Sequence, residues 1–238
     1  MRLTRAELAQ MIDHTLLRPD ATHSDIRRFC AEAVEYGFGT VCVNPARVAL
    51  AARELSGSGV KVCTVIGFPL GATSVAAKVA EAEQAAADGA VEFDVVLNLG
   101  ALKERDLAYL KNELAGVATA ARGVRRDAVI KIILETALLT DEEKLLGCRL
   151  AEGQGADFVK TSTGFGPGGA TVPDVRLLRK AVGERLGVKA AGGIRDLATA
   201  LQMVAAGASR IGTSSGVKII QELEDEAGPD WVLDEEGV

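Results

Sequence analysis

Histidine is nearly absent from this chain, which has only His14 and His23. Its four cysteines, Cys30, Cys42, Cys63 and Cys148, form no C-x-x-C pair and have no histidine beside them. Zinc sites need such ligands at close spacing, so no metal is expected. The same cysteine usage fits reduced thiols and a cytoplasmic protein. No apolar run of about 18 residues occurs, so no membrane-spanning helix is expected. The first twenty residues lack the 7–15-residue apolar core of a signal peptide. Positive charge is in deficit too: 27 Lys and Arg stand against 33 Asp and Glu, a formal net charge of −6. No basic block reverses that balance, which argues against a general nucleic-acid binder. Nor does a G-x-G-x-x-G sequence open an early helix, as a dinucleotide-binding fold would require.

What is present is a regular alternation. With 238 residues, 48% of them hydrophobic, the chain can bury a large core as two ordinary domains or as one barrel. "EYGFGTVCVN", "AADGAVEFDVVLN", "EGQGADFVKTST" and "AAGASRIGTSS" share one layout: a helical stretch, a Gly that stops it, then a short apolar strand. Strands are expected at 11–16, 39–43, 60–66, 92–98, 129–135, 157–162, 187–192 and 209–213, each followed by a helical stretch. Thr140 with Glu143 reads as a capping box, and Thr171 and Asp196 read as N-caps. About eight such units in this length imply a single-domain (β/α)8 TIM barrel spanning residues 1–238. The acidic stretch from about Glu222 is expected to be a loosely ordered tail.

Functional groups of such a barrel sit at the C-terminal ends of its strands. Lys160 in "FVKTST" and Lys189 in "GVKAAGG" fall on neighbouring strands there. Burying an isolated ammonium against the helix layer is expensive, so both are expected to face the barrel mouth. Their bland alternative is a pair of lysines whose stems snorkel to water. Lys61 and Lys131 lie near the starts of their strands and are read as structural, at the stability face. Paired lysines serve amine catalysis, because a second cation and desolvation both favour the neutral amine that attacks a carbonyl. An ordinary lysine, pKa about 10.4, needs about 4 kcal/mol of destabilisation of its charged form to titrate three units lower. Gly192-Gly193 and the stretch Gly212–Ser215 follow the last two strands, where barrels often bind phosphate, and Arg195 adds donors. Asp94 is a carboxylate inside an apolar strand and is expected to find a lysine partner across the barrel. Cys42 is read as a small core residue.

Taken in order, "IDHTLLRPDAT", "VCVNP", "VCTVIGFPLG", "VEFDVVLNLGALK", "KIILETALL", "FVKTSTGFGP", "VKAAGGIRD" and "RIGTSSG" resemble the 2-deoxyribose-5-phosphate aldolases, a family of class I aldolases. The resemblance implies that Lys160 is the Schiff-base lysine, that Lys189 assists proton transfer and lowers the pKa of Lys160, and that Asp94 relays protons. It implies that Gly164, Gly192, Gly193, Arg195, Gly212, Ser214 and Ser215 hold the substrate phosphate, and that Asp13, Thr15, Cys42 and Thr161 line the same mouth. No cofactor is implied beyond the covalent Schiff base. The implied partners are a small sugar phosphate and acetaldehyde, and a homo-oligomer, dimer or tetramer. Three positions depart from some relatives. Phe165 and Gly168 stand where those carry basic residues, and "DEEGV" replaces a terminal tyrosine. The alternatives are another class I aldolase or transaldolase-like barrel, or a non-catalytic sugar-phosphate binder.

Overall fold

Alternation with period 2 decides what each strand shows to its two sides. Eight parallel strands close into a barrel in sequence order. They are β1 (Ile12–Leu16), β2 (Thr40–Val43), β3 (Lys61–Ile66), β4 (Glu92–Val96), β5 (Val129–Ile133), β6 (Phe158–Lys160), β7 (Gly187–Ala191) and β8 (Arg210–Thr213). The computed structural model describes residues 3–227. Val41, Phe93, Ile132, Val159, Val188 and Ile211 all belong to one large apolar cluster with the helices. Their neighbours Cys42, Asp94, Lys131, Lys160, Lys189 and Arg210 face the other way, into the barrel. The apolar core is therefore the shell between sheet and helices, whereas the interior carries charge. That departs from the branched apolar layers that usually fill such barrels.

The helices are α1 (Arg5–Met11), α2 (His23–Tyr36), α3 (Val48–Glu54), α4 (Val75–Ala87), α5 (Leu99–Lys103), α6 (Leu107–Val124), α7 (Asp141–Gly153), α8 (Val172–Val182), α9 (Leu197–Ala205) and α10 (Gly216–Ala227). The expected caps are present. Thr140 and Glu143 form a reciprocal capping box on α7, Thr171 caps α8, and Asp196 Oδ1 accepts from Thr199 N at 2.8 Å on α9. Helix α1 was not anticipated, although Thr4 and Glu7 make the same capping box before it. A fully buried pair, Lys78 on α4 and Glu113 on α6, joins the helix layer to the end of β4. Lys78 Nζ lies 2.7 Å from Glu113 and donates to Val96 O, and Glu113 accepts from Asn98 N. None of the described helices is long and apolar enough to cross a membrane.

The expected loose tail from Glu222 is corrected by α10, which continues to Ala227. Ile219, Ile220 and Leu223 are buried on one face of that helix, and Glu222 accepts from Leu197 N at 2.7 Å, at the start of α9. The acidic composition concealed an amphipathic helix whose apolar stripe is short. Residues 228–238, the rest of that tail, lie outside the described residues. Truncating the stripe tests its weight: Leu223→Ala is expected to cost about 2–4 kcal/mol in urea unfolding. A loss below about 0.5 kcal/mol would show the helix end to be dispensable.

Candidate active site

Strand register sets the charged groups side by side. Asp94 on β4 pairs with Lys131 on β5, Lys160 on β6 with Lys189 on β7, and Lys189 with Arg210 on β8. All point inward. Asp94 Oδ2 accepts from Lys160 Nζ at 2.8 Å and from Lys189 Nζ at 2.6 Å. Its Oδ1 accepts from Lys131 Nζ at 2.9 Å and from the Cys63 thiol at 3.3 Å. Lys131 also lies 2.6 Å from Glu92 and 3.3 Å from Asp13. Lys189 donates to Asp13, and Arg210 reaches Asp13 at 2.7 Å and Glu92 at 3.0 Å. Buried charges persist only when paired and hydrogen-bonded, and every one of these is.

Four cations thus meet three carboxylates. Burial alone would raise the Asp94 carboxyl, but Lys131, Lys160 and Lys189 outweigh it and hold it well below the usual range. Asp13 is held low in the same way by Lys131, Lys189 and Arg210. Burial would depress the Lys189 ammonium, yet Asp13 and Asp94 keep it above its ordinary value. Lys189 is therefore a firm cation. The two lysines expected on neighbouring strands meet at one Asp94 oxygen, which both nitrogens contact.

Above this network lies a cavity of about 300 Å³. Lys160, 2% exposed, is the one charged member of the network among its lining residues. Thr15 comes from β1 and Arg18 from the loop after it, Gly164 and Phe165 from the loop after β6, Gly192, Gly193 and Arg195 from the loop after β7, and Gly212 and Ser214 from the end of β8. Gly164, Gly192 and Gly193 have φ of +84°, +90° and +82°, a region that side chains rarely adopt. Gly212 answers a different need, because a Cβ there would sit 3.0 Å from Lys189 Cε and 2.9 Å from Ala191 Cβ. Arg195 is exposed, and among the described residues it has no carboxylate partner.

Several expected residues lie elsewhere. Asp13 is beneath the cavity, in the ion network. Thr161 follows Lys160 and so faces the opposite way; its hydroxyl donates to Ala191 O at 3.1 Å and binds β6 to β7. Cys42 is fully buried in a small cluster with Leu17, Cys63 and Val65. Ser215 is absent from the cavity wall, and its N–H donates to Thr213 Oγ1 at 2.9 Å.

Lys131 is the main correction. It occupies the centre of the ion network rather than the stability face, because the β4–β5 register sets it directly beside Asp94. Glu92 and Arg210 were missed for the same reason. Two further residues gain a role from the structure. Thr213 Oγ1 donates to Ile194 O at 2.7 Å and so ties the β7 and β8 loops together. Glu135, with φ +51°, accepts from both the N–H and the hydroxyl of Thr163 and anchors the β6 loop.

Cys42, Cys63 and Asp94 bring ligand atoms within 4.8 Å of one another, as do Asp13, Cys63 and Glu92. Lysine and arginine nitrogens already occupy these carboxylates, so a divalent cation would have to displace them against four like charges.

An amine-lined cavity at the C-terminal mouth of a closed parallel barrel, flanked by glycine loops, is the layout of a barrel aldolase, a lyase. The chain belongs to the DeoC/LacD family of aldolases, whose family model matches residues 7–222. It is 57% identical over 226 residues to the deoxyribose-phosphate aldolase of Thermococcus kodakarensis, covering 94% of this chain and 100% of that one. Deoxyribose-phosphate aldolase 1 of Bacillus licheniformis is 57% identical over 217 residues, 91% of this chain and 96% of the relative. Among solved structures, a tetrameric deoxyribose phosphate aldolase from Aeropyrum pernix superposes with a TM-score of 0.87 at 38% identity, covering 94% of each chain.

The close approach at Gly212 is open to test. Gly212→Ala is expected to lower stability by about 1–3 kcal/mol, because the added methyl meets a buried stem and a backbone-anchored Cβ. Unchanged unfolding in guanidinium would show that Lys189 has room to move aside.

Proposed function

We propose that this aldolase reversibly cleaves 2-deoxy-D-ribose 5-phosphate to D-glyceraldehyde 3-phosphate and acetaldehyde through a Schiff base on Lys160. The observation that carries this reading is that Lys160 alone joins the ion network to the cavity. A nucleophilic amine must be neutral. Giving up one proton leaves three cations against three carboxylates. Arg210 cannot supply that proton, since a guanidinium stays charged. Lys131 holds Asp13, Glu92 and Asp94, and Lys189 holds Asp13 and Asp94. Lys160 contacts Asp94 alone, on an oxygen that Lys189 shares, so Asp94 keeps a partner there when the amine is neutral.

The neutral amine adds to the C1 aldehyde of the open-chain sugar, and loss of water leaves an iminium. Removal of the proton from the C3 hydroxyl lets the C2–C3 bond break, its electrons passing to the iminium as an enamine. Glyceraldehyde 3-phosphate departs as the C3 oxygen becomes a carbonyl. Protonation of the enamine at C2 and addition of water release acetaldehyde and return the amine. The Lys189 ammonium, hydrogen-bonded to Asp94, supports a role as proton donor in that relay, with Asp94 passing charge between the two lysines. The mechanism calls on no metal or redox cofactor.

Gly164, Gly192, Gly193, Arg195 and Ser214 line the cavity and support phosphate binding by backbone groups and by a guanidinium that has no carboxylate partner among the described residues. Thr213 contributes by holding the two loops that carry them. The relatives' names support the choice of sugar phosphate. The tetramer described for the Aeropyrum pernix relative supports a homo-oligomer here. Four free, buried cysteines support a cytoplasmic enzyme of deoxyribonucleoside catabolism.

Borohydride reduction with acetaldehyde present, followed by peptide mapping, is expected to leave a stable ethyl adduct on Lys160. An unmodified Lys160 in active, folded enzyme would overturn the mechanism. The phosphate assignment has its own test. Arg195→Leu is expected to raise KM for the phosphorylated sugar about five- to tenfold, the equivalent of about 1–1.4 kcal/mol. The same change is expected to leave kcat/KM for unphosphorylated 2-deoxyribose within about twofold. Equal losses on both sugars would remove Arg195 from phosphate binding.

A further inference from the structure

We propose that Lys131, paired with Glu92, is a positioning residue for the reactive amine: it fixes Asp94 from behind, and its charge sets the pH at which Lys160 becomes a nucleophile. The inference rests on the Schiff-base reading of Lys160 and extends it to a residue that touches no substrate.

Geometry comes first. The two oxygens of Asp94 have separate duties. Oδ2 receives Lys160 and Lys189, while Oδ1 receives Lys131 at 2.9 Å and the Cys63 thiol at 3.3 Å. A carboxylate held on one oxygen by a lysine and a thiol cannot rotate without breaking both bonds. Lys131 therefore keeps Oδ2 turned toward the reactive pair. Lys131 has no surface on the cavity and is fully buried, so it does not touch substrate.

Charge comes second. From β1, Asp13 faces Lys131 at 3.3 Å; from β4, Glu92 faces it at 2.6 Å. The Cys63 thiol of β3 lies 3.3 Å away. Beyond Asp94 stand Lys160 and Lys189, with the Cys42 thiol of β2 in the field of both. Arg210 of β8 closes the far side against Asp13 and Glu92. Each strand thus contributes at least one ionisable group, and the surplus is a single positive charge. Burial would depress the Lys131 ammonium, but Asp13 and Asp94 outweigh it and hold it well above its ordinary value. It places a positive charge behind Asp94, in the same buried network as the Lys160 amine. Deleting it leaves three cations against three carboxylates with Lys160 still protonated, and removes the drive to release that proton. Deleting the Glu92 charge does the opposite.

The experiment reads the pH dependence of kcat/KM in the full chain, alongside borohydride trapping on Lys160. Lys131→Met is expected to move the acid limb of the profile upward by about one pH unit or more. Activity at neutral pH then falls about tenfold and recovers toward alkaline pH. Glu92→Gln is expected to move the same limb downward. The double variant, which restores one surplus cation, is expected to return the limb toward the wild-type position. A merely structural role predicts lower turnover at every pH, no opposed shifts and no return in the double variant, and that result overturns the proposal. Should Lys131→Met fail to fold, Glu92→Gln decides alone: a limb that does not move down overturns it. Failure of the underlying reading looks different, because the wild-type enzyme would then show no adduct on Lys160.

Discussion

One carboxylate organises this barrel. Asp94 sits in the centre of the sheet interior with two lysines on one oxygen and a lysine and a thiol on the other, and the other charged residues are arranged around the consequences. A single buried ion pair stabilises little, because desolvation offsets the attraction. A closed network changes that balance, since each newly buried charge finds partners already desolvated and fixed. Asp13 and Glu92 are needed because three lysines and an arginine could not share Asp94 alone. The result is a polar, charged interior inside a mostly apolar shell.

That inversion explains how the fold serves the site. In an ordinary barrel the interior packing and the outer core both stabilise. Here the apolar layer between strands and helices carries stability, with Phe93, Ile132, Val159 and Val188 among its members. The interior is left to hold charges at fixed distances. The buried Lys78–Glu113 pair extends the same logic outward, because it binds the end of β4, the strand that carries Asp94, to two helices. Removing one partner from such a pair leaves an uncompensated charge, at a cost of about 3–5 kcal/mol.

Much of this was legible in the sequence, for reasons that particular residues make clear. Lys160 and Lys189 stood out because lysine in an apolar strand is costly, and two on adjacent strands have one economical direction to point. The strands were legible because an apolar run ending in Gly recurs. Lys131 was misread because register is invisible in a single strand. That Lys131 lies beside Asp94 follows from the stagger of β4 against β5, which no local pattern encodes. Arg210 and Glu92 hid in the same way, near strand starts but with stems long enough to reach the centre. Thr161 is the opposite case. Its direction was legible, because the residue after an inward lysine must face outward.

The division of labour within Asp94 bears on why Lys160, the amine proposed to react, differs from its neighbours. Lys131 and Lys189 are each held by more than one carboxylate and are stable cations. Lys160 shares one oxygen with Lys189 and has open cavity above it. Its environment is therefore asymmetric: a fixed charge network below, exchangeable solvent or substrate above. Proton loss from Lys160 weakens one hydrogen bond, and Lys189 remains on the same oxygen to keep Asp94 satisfied. The carboxylate need not move when the amine changes state. That is the property a proton relay requires, since reorganisation of charged groups during reaction is what a preorganised site avoids. The site is thus organised by a carboxylate that two lysines share and a third holds still.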